Sequence, residues 1–234
     1  MNNIIINEAE SFDIPFEQPI RGVAFSSMQK RWNSFLKART DLDLSVYGFT
    51  SLRSGILQTK IDEYSLKPYM FFSTNCFKDF IGQDAFLIFI ENNYTTNIIG
   101  GPIEDIGRLK YIDGCTDSIL LPPIIKGGPC LNALFFPKGT KQTYHIHPSF
   151  RLGMVIKGKG ICELKDRSID LTPGKVFMIP QDHLHRFLTN DDELVVVAFH
   201  PDSDFGPENL NHPMINRTVV EGVSANKIKD IQTL

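Results

Sequence analysis

His145 and His147, in the stretch HIHPSFRLGMVIKGKG (145–160), are the side chains of this chain best suited to chemistry. A strand repeats every two residues, so the spacing i, i+2 sends both imidazoles to one face, where they can hold one ion. A third donor must come from another strand. His185 qualifies: it follows a turn running from Gly174 to Pro180 and begins a new apolar run. Three neutral imidazoles suit zinc, iron, nickel or copper and leave coordination positions open for water or substrate. HxH alone also occurs as ordinary surface or core histidine, so the assignment depends on His185.

All six histidines lie between residues 145 and 212, which places any imidazole chemistry in the C-terminal half. His183, two before His185, reads as a rim residue, and His200 and His212 read as loop residues. By alternation Tyr144 faces away from His145, and Arg186 away from His185.

The positioning elements are strands. TYHIHP (143–148), RLGMVIKG (151–158), KGICELKD (159–166), SIDLTPG (168–174), KVFMIP (175–180), LHRFLT (184–189) and ELVVVAFHP (193–201) are short β-rich runs separated by Gly, Pro or Asp turns. Such a series predicts an antiparallel sandwich or barrel. Phe135, Met154, Ile156, Phe177, Ile179, Phe187 and Val197 are the expected inward positions, giving an apolar pocket around the histidines. Residues 45–121 are β-rich too, with runs such as GILQTKI and AFLIFIE, but lack histidine. ILLPPIIK (119–126) reads as a linker, and a soft boundary near 122 divides the chain into 1–122 and 123–234. Residues 26–39 carry Met28, Trp32, Phe35 and Leu36 near one helical face behind a serine cap and predict a packing helix.

Composition excludes several classes. The 234 residues are 42% hydrophobic and 22% charged, an ordinary globular balance. A net charge of −3, with basic residues spread along the chain, argues against a nucleic-acid partner. The N-terminus has no basic n-region or apolar h-region, and no run approaches the ~18 apolar residues of a membrane span, so a cytoplasmic, soluble protein is expected. Cys76, Cys115, Cys130 and Cys162 include no CxxC pair, and read as reduced, semi-buried thiols.

The two histidine motifs together resemble the cupin superfamily, whose motifs are usually written G-x5-HxH-x3,4-E-x6-G and G-x5-PxG-x2-H-x3-N. Gly139, His145, His147 and Gly158 fit the first. Gly174, Pro180 and His185 fit the second, with Asp182 at its glycine position and Thr189 at its asparagine position. The likeness spans roughly residues 128–200, and HIHP…GMVIKG also resembles germins. It implies an all-β, double-stranded β-helix (jelly-roll) in the C-terminal half and a β-rich, degenerate cupin in the N-terminal half. It further implies a divalent metal (iron, alternatively zinc or nickel) on His145, His147 and His185, and a homodimer.

One position departs from the pattern. Arg151 stands where the family has its glutamate ligand, and arginine cannot ligate a metal. A three-histidine site results, similar to that of some cupin-type dioxygenases. Arg151 is expected to point inward. It would then hold a substrate carboxylate, pair with an internal carboxylate such as Glu163 or an aspartate of another strand, or mark a barrel that has lost its metal.

Three functions follow. The first is a nonhaem-iron dioxygenase-like oxidoreductase acting on a small organic acid, with Arg151 catalytic and Arg151, Gln181 and Phe187 binding substrate. The second is a non-catalytic binding or sensor module for a small, anionic molecule. The third is a metal-dependent isomerase or lyase.

Overall fold

The computed structural model describes residues 5–6, 11–14, 20–24, 44–82, 85–208 and 212–232. The helix expected over 26–39 lies outside the described residues. Among the described residues the architecture is strand throughout, apart from short 3-10 turns and one five-residue helix, Pro213–Arg217. His212 caps that helix, its ring nitrogen accepting from the Met214 amide at 3.1 Å.

The C-terminal half is built on a seven-stranded antiparallel sheet. Its order is Ile5–Ile6, Val176–Ile179, Arg151–Gly158, Leu194–His200, Cys130–Phe136, Thr116–Leu121, Leu109–Lys110. A three-stranded sheet, Ser168–Leu171, Gly160–Leu164, His185–Leu188, covers one face. Phe136, Val155, Cys162, Leu171, Phe177, Phe187 and Val196 fill the space between the two sheets. This is the all-β jelly-roll architecture expected for this half. The N-terminal half repeats the plan. A six-stranded sheet containing Leu44–Thr50 and Ala85–Glu91 and a three-stranded sheet centred on Gly55–Thr59 enclose Val46, Leu57, Phe72, Phe80, Leu87 and Phe89.

Strand pairing takes Leu109–Lys110 and Thr116–Leu121 into the C-terminal sheet, on the N-terminal side of the 122/123 division read from the sequence. The Ile5–Ile6 strand also joins that sheet, against Val176 and Phe177.

The two large sheets pack face to face. Tyr47, Phe49, Phe86 and Ile88 meet Leu131, Met154, Ile156, Val197 and Phe199, with the Tyr47 and Phe199 rings edge to face at 5.6 Å. Each such fully buried side chain contributes about 1.5–3 kcal/mol relative to exposure. Separating the halves would expose many at once, so they are held as one body.

Burial on both faces corrects part of the inward set expected from the sequence. Phe177, Ile179 and Phe187 do face the C-terminal interior. Phe135, Met154, Ile156 and Val197 point the other way, into the contact with the N-terminal half. The residues that face inward from the same strands are Leu134 and Phe136, Gly153 and Val155, Val196 and Ala198. A strand apolar on both faces carries no alternation from which to read its phase.

Gly158 ends the Arg151–Gly158 strand at φ +73, and a Cβ there would lie 1.8 Å from the Glu193 carbonyl oxygen. Gly174 has a similar φ of +87 but nothing within 4 Å of the same point. Gly174→Ala is therefore expected to cost only the left-handed backbone penalty, about 1–2 kcal/mol. Gly158→Ala adds a backbone clash and is expected to cost roughly 3 kcal/mol or more. Urea midpoints of the two variants check this, and equal losses would refute the steric account.

Candidate metal site and cavity

His185 opens the His185–Leu188 strand, and His145 lies opposite it. The segment expected as a strand over 143–148 is not a continuous one. It is held by a single bridge, in which the His145 amide donates to the His185 carbonyl and the His185 amide to the His145 carbonyl, both at 3.0 Å. A second tie comes from the turn after Pro180, where the Asp182 amide donates to the His147 carbonyl at 2.9 Å. Asp182 makes that turn with φ +55, the conformation for which a glycine is best suited. The expected alternation survives in this short stretch. Tyr144 and Ile146 are exposed, while His145 and His147 turn inward.

The three rings converge. Centroids lie 5.0 Å apart for His145 and His147, 4.5 Å for His145 and His185, and 5.1 Å for His147 and His185. One ligand nitrogen of each lies within 4.8 Å of the others, which makes a candidate metal-binding group among the described residues. Two tautomers are fixed by the backbone. His145 Nδ1–H donates to the Thr143 carbonyl at 2.9 Å and His185 Nδ1–H to the His183 carbonyl at 2.8 Å. Their Nε2 lone pairs are thereby left free for a ligand, the usual arrangement for metal-binding imidazoles. His185 Nε2 is buried and has no hydrogen-bond partner, an atom that costs stability unless something binds it. Burial, with smaller contributions from Arg151 and the neighbouring imidazoles, lowers the His147 pKa to about 3. Burial likewise lowers that of His185 to about 4, partly opposed by its hydrogen bond to His183. Both rings are neutral near pH 7, the form that coordinates. The donor set therefore fits a divalent ion.

Arg151 faces the same cavity, as expected. Its Nη1 donates to the carbonyls of Ser149 and Phe150, at 3.1 and 3.0 Å, and to the Ser149 hydroxyl. The Ser149 hydroxyl donates in turn to Asp202. Asp202 itself is 3.8 Å from Nη1, a loose ion pair with a half-exposed carboxylate. All of these contacts use one nitrogen, and Nε is buried without a partner. Glu163, the other internal partner considered, is engaged elsewhere. It accepts from the Tyr144 hydroxyl at 2.9 Å and pairs with Arg186, whose guanidinium lies over the Tyr144 ring at 4.4 Å.

The cavity holds about 70 Å³, lined mainly by apolar side chains. Phe187 forms part of its wall beside His185, with centroids 5.7 Å apart. Gln181 does not reach it: that residue is exposed on the turn before Asp182. Four polar residues that sequence reasoning did not assign to the site also line it: Tyr111, Asp117, Gln142 and His200. Gln142 is a buried strut, its side-chain oxygen accepting from the Phe187 amide at 3.2 Å and its amide donating toward Cys115 Sγ at 3.6 Å. His200 ends a strand instead of sitting in a loop, and burial pushes its pKa well below the ordinary value. Its phase with Val196 and Ala198 was the one available signal, hidden because both faces of that strand are apolar.

Comparison with known proteins agrees with this fold. The family model for the AraC-like ligand binding domain matches residues 137–205. No curated protein matches the chain in sequence. Among solved structures, a cupin 2 conserved barrel domain protein from Leptotrichia buccalis aligns with TM-score 0.53 at 11% identity, covering 82% of this chain and 88% of that one. The protein YlbA from E. coli gives 0.52 at 12%, covering 89% of each. A salicylate 1,2-dioxygenase variant from Pseudoaminobacter salicylatoxidans, in complex with gentisate, gives 0.55 at 8%, covering 83% and 74%.

Elemental analysis of untagged protein is expected to find near-stoichiometric divalent metal after reconstitution. His145→Ala and His185→Ala should each reduce it to background while remaining folded by circular dichroism. Full metal in either variant would remove these histidines as ligands.

Proposed function

We propose that this chain, which has the cupin fold, binds a divalent metal through Nε2 of His145 and His185 together with His147, and binds a small organic anion beside it at Arg151. The reaction that best suits this pairing is an iron-dependent, dioxygenase-like oxidation of a small organic acid. The observation that carries the proposal is the convergence of three imidazoles, two of which, His145 and His147, line one cavity with Arg151, whose Nε is buried without a partner. A guanidinium recognises a carboxylate through two parallel N–H bonds. Arg151 keeps Nε uncommitted for that purpose, while its backbone and Ser149 contacts all fall on Nη1. When bound, an iron ion would supply redox chemistry and a site for oxygen; zinc or nickel would supply Lewis acidity. The protein's part is to hold the three imidazoles in place, orient the anion, and line the site with Phe177, Ile179 and Phe187 so that water is largely excluded. The gentisate complex of the salicylate dioxygenase structure supports an organic acid as the ligand class.

A second reading has its own support. The AraC-like ligand binding family model covers both histidine motifs, which favours a module that binds a small molecule without turning it over. Oxygen uptake separates the two. The iron-loaded protein, offered a panel of short and aromatic carboxylic acids, should consume oxygen with at least one of them. Binding without uptake by iron-loaded protein would leave the ligand-binding module.

Arg151→Met is expected to weaken carboxylate binding about 10- to 100-fold at unchanged metal content. Arg151→Lys should recover part of the loss by restoring the charge without the fork. Calorimetric titration measures both, and unaltered affinity in Arg151→Met would place the anion elsewhere.

A further inference from the structure

Next to Arg151 in the cavity wall stands an imidazole that the proposal above does not use. The Arg151–Gly158 and Leu194–His200 strands run antiparallel, with Leu152 opposite Phe199 and Gly153 opposite Ala198. One step further along the same register, Arg151 comes level with His200, the last residue of its strand. Directly opposed residues on one face of an antiparallel pair have Cβ atoms about 4.5–5.5 Å apart, close enough for two long side chains to meet one group. Arg151 and His200 share the inward phase of Gly153 and Ala198, and both line the cavity. Burial lowers the His200 pKa, and the charges of Arg151 and His147 act in the same direction, so the ring lies within electrostatic reach of both. On its other side His200 is paired with Cys130, whose thiol is fully buried.

Both groups keep donors without partners. Among the described residues the His200 ring makes no hydrogen bond. The Arg151 contacts all fall on Nη1, and Nε is buried without a partner. Asp202, two residues beyond His200, is taken up by Ser149 and Arg151. A polar group buried without a partner destabilises the fold, so a native protein retains one where something fills it. An imidazole offers at least one N–H in either protonation state, and a carboxylate has about four acceptor positions on its two oxygens. One edge of a guanidinium takes up two of them. A donor on the neighbouring strand finds the others free.

We propose that His200 is a second contact for the acid group of the ligand: its ring N–H donates to the same carboxylate that Arg151 holds. Two adjacent strands then grip one planar group, and the third donor fixes a carboxylate that a fork alone would leave free to tilt. The assignment rests on the anion site at Arg151 proposed above.

The test uses the full chain loaded with zinc, so that no turnover intervenes, and calorimetric titration with propanoate, whose carboxylate is its one polar group. His200→Leu removes the donor and is expected to weaken propanoate binding about 10- to 100-fold at unchanged zinc content. His200→Gln returns an amide N–H to the same wall and should recover part of the loss, which a role in packing alone would not. Unchanged melting temperatures exclude misfolding, and His200→Phe provides a second variant without the donor should His200→Leu fail to fold. Wild-type affinity in His200→Leu, with Arg151→Met still weakened, would overturn the assignment while leaving the anion site at Arg151 in place. Equal losses in His200→Leu and His200→Gln would reduce His200 to a wall residue, and loss of zinc from His200→Leu would make it part of the metal group instead. If wild type binds no propanoate, the anion site at Arg151 fails for short acids, and this assignment falls with it.

Discussion

The candidate site depends on one reciprocal backbone pair. His145 and His185 exchange N–H···O=C bonds at 3.0 Å in both directions. The chain around His145 is otherwise irregular, lying between the Cys130–Phe136 and Arg151–Gly158 strands. That pair therefore sets the height of one imidazole against the other. Each imidazole is then rotated into place by its own Nδ1–H bond to the carbonyl two residues earlier. Backbone supplies both constraints, so they survive substitution of the surrounding side chains. Two motif positions whose residue types differ from the usual pattern still shape the turns. Asp182 adopts the left-handed conformation that a glycine at this position would take readily. Thr189 ties its strand to the turn at Pro137 by donating to that carbonyl at 2.5 Å and accepting from the Thr140 amide at 2.8 Å.

How much of this could be read from the sequence varied with the physics. The antiparallel β architecture and the candidacy of His145, His147 and His185 were legible because turn glycines and a period of two are local signals, while the jelly-roll came with the resemblance to cupins. The inward face of the large sheet was not. Its strands bury both sides, one against the small sheet and one against the N-terminal half. In ELVVVAFH and LNALFF nothing local says which residues look inward. Arg151 held the missing information: a charged residue aimed at the interior fixes the phase of its own strand, so Gly153 and Val155 must follow it inward and Met154 and Ile156 must not. Asp117 was hidden for a different reason. It stands just before ILLPPIIK (119–126), which read as a linker, yet Thr116–Leu121 is a full strand that ends just before the two prolines.

Gly153 shows how the sheet makes room for a cavity at all. A Cβ there would come within 2.3 Å of the Phe177 ring. Its partner in the next strand is Ala198. Two small residues side by side on the inner face leave a hollow that Phe177 only partly fills, and the polar groups of Asp117, Arg151 and His200 look into what remains. Interiors are normally packed with few voids larger than a water molecule. Retention of this hollow beside three convergent imidazoles favours a binding role over a purely structural one.

The electrostatics of that hollow explain why an arginine can occupy a position where a glutamate ligand would serve a metal better. A glutamate with three histidines would leave a divalent ion with one net positive charge. With an ion bound as proposed, three imidazole ligands would offset none of its charge, and Arg151 would add another nearby. The nearest carboxylate to Arg151, Asp202, is half exposed and only loosely paired with it, so solvent takes up much of its field. With the proposed ion bound, the cavity would hold two positive centres and would attract an anion, because the same low dielectric that makes charges costly to bury magnifies their attraction for a counter-charge. Loss of the glutamate then need not mean loss of the metal. On the function proposed above, charge balance would pass from the protein to the ligand, so that metal and organic anion would each make the other easier to bind.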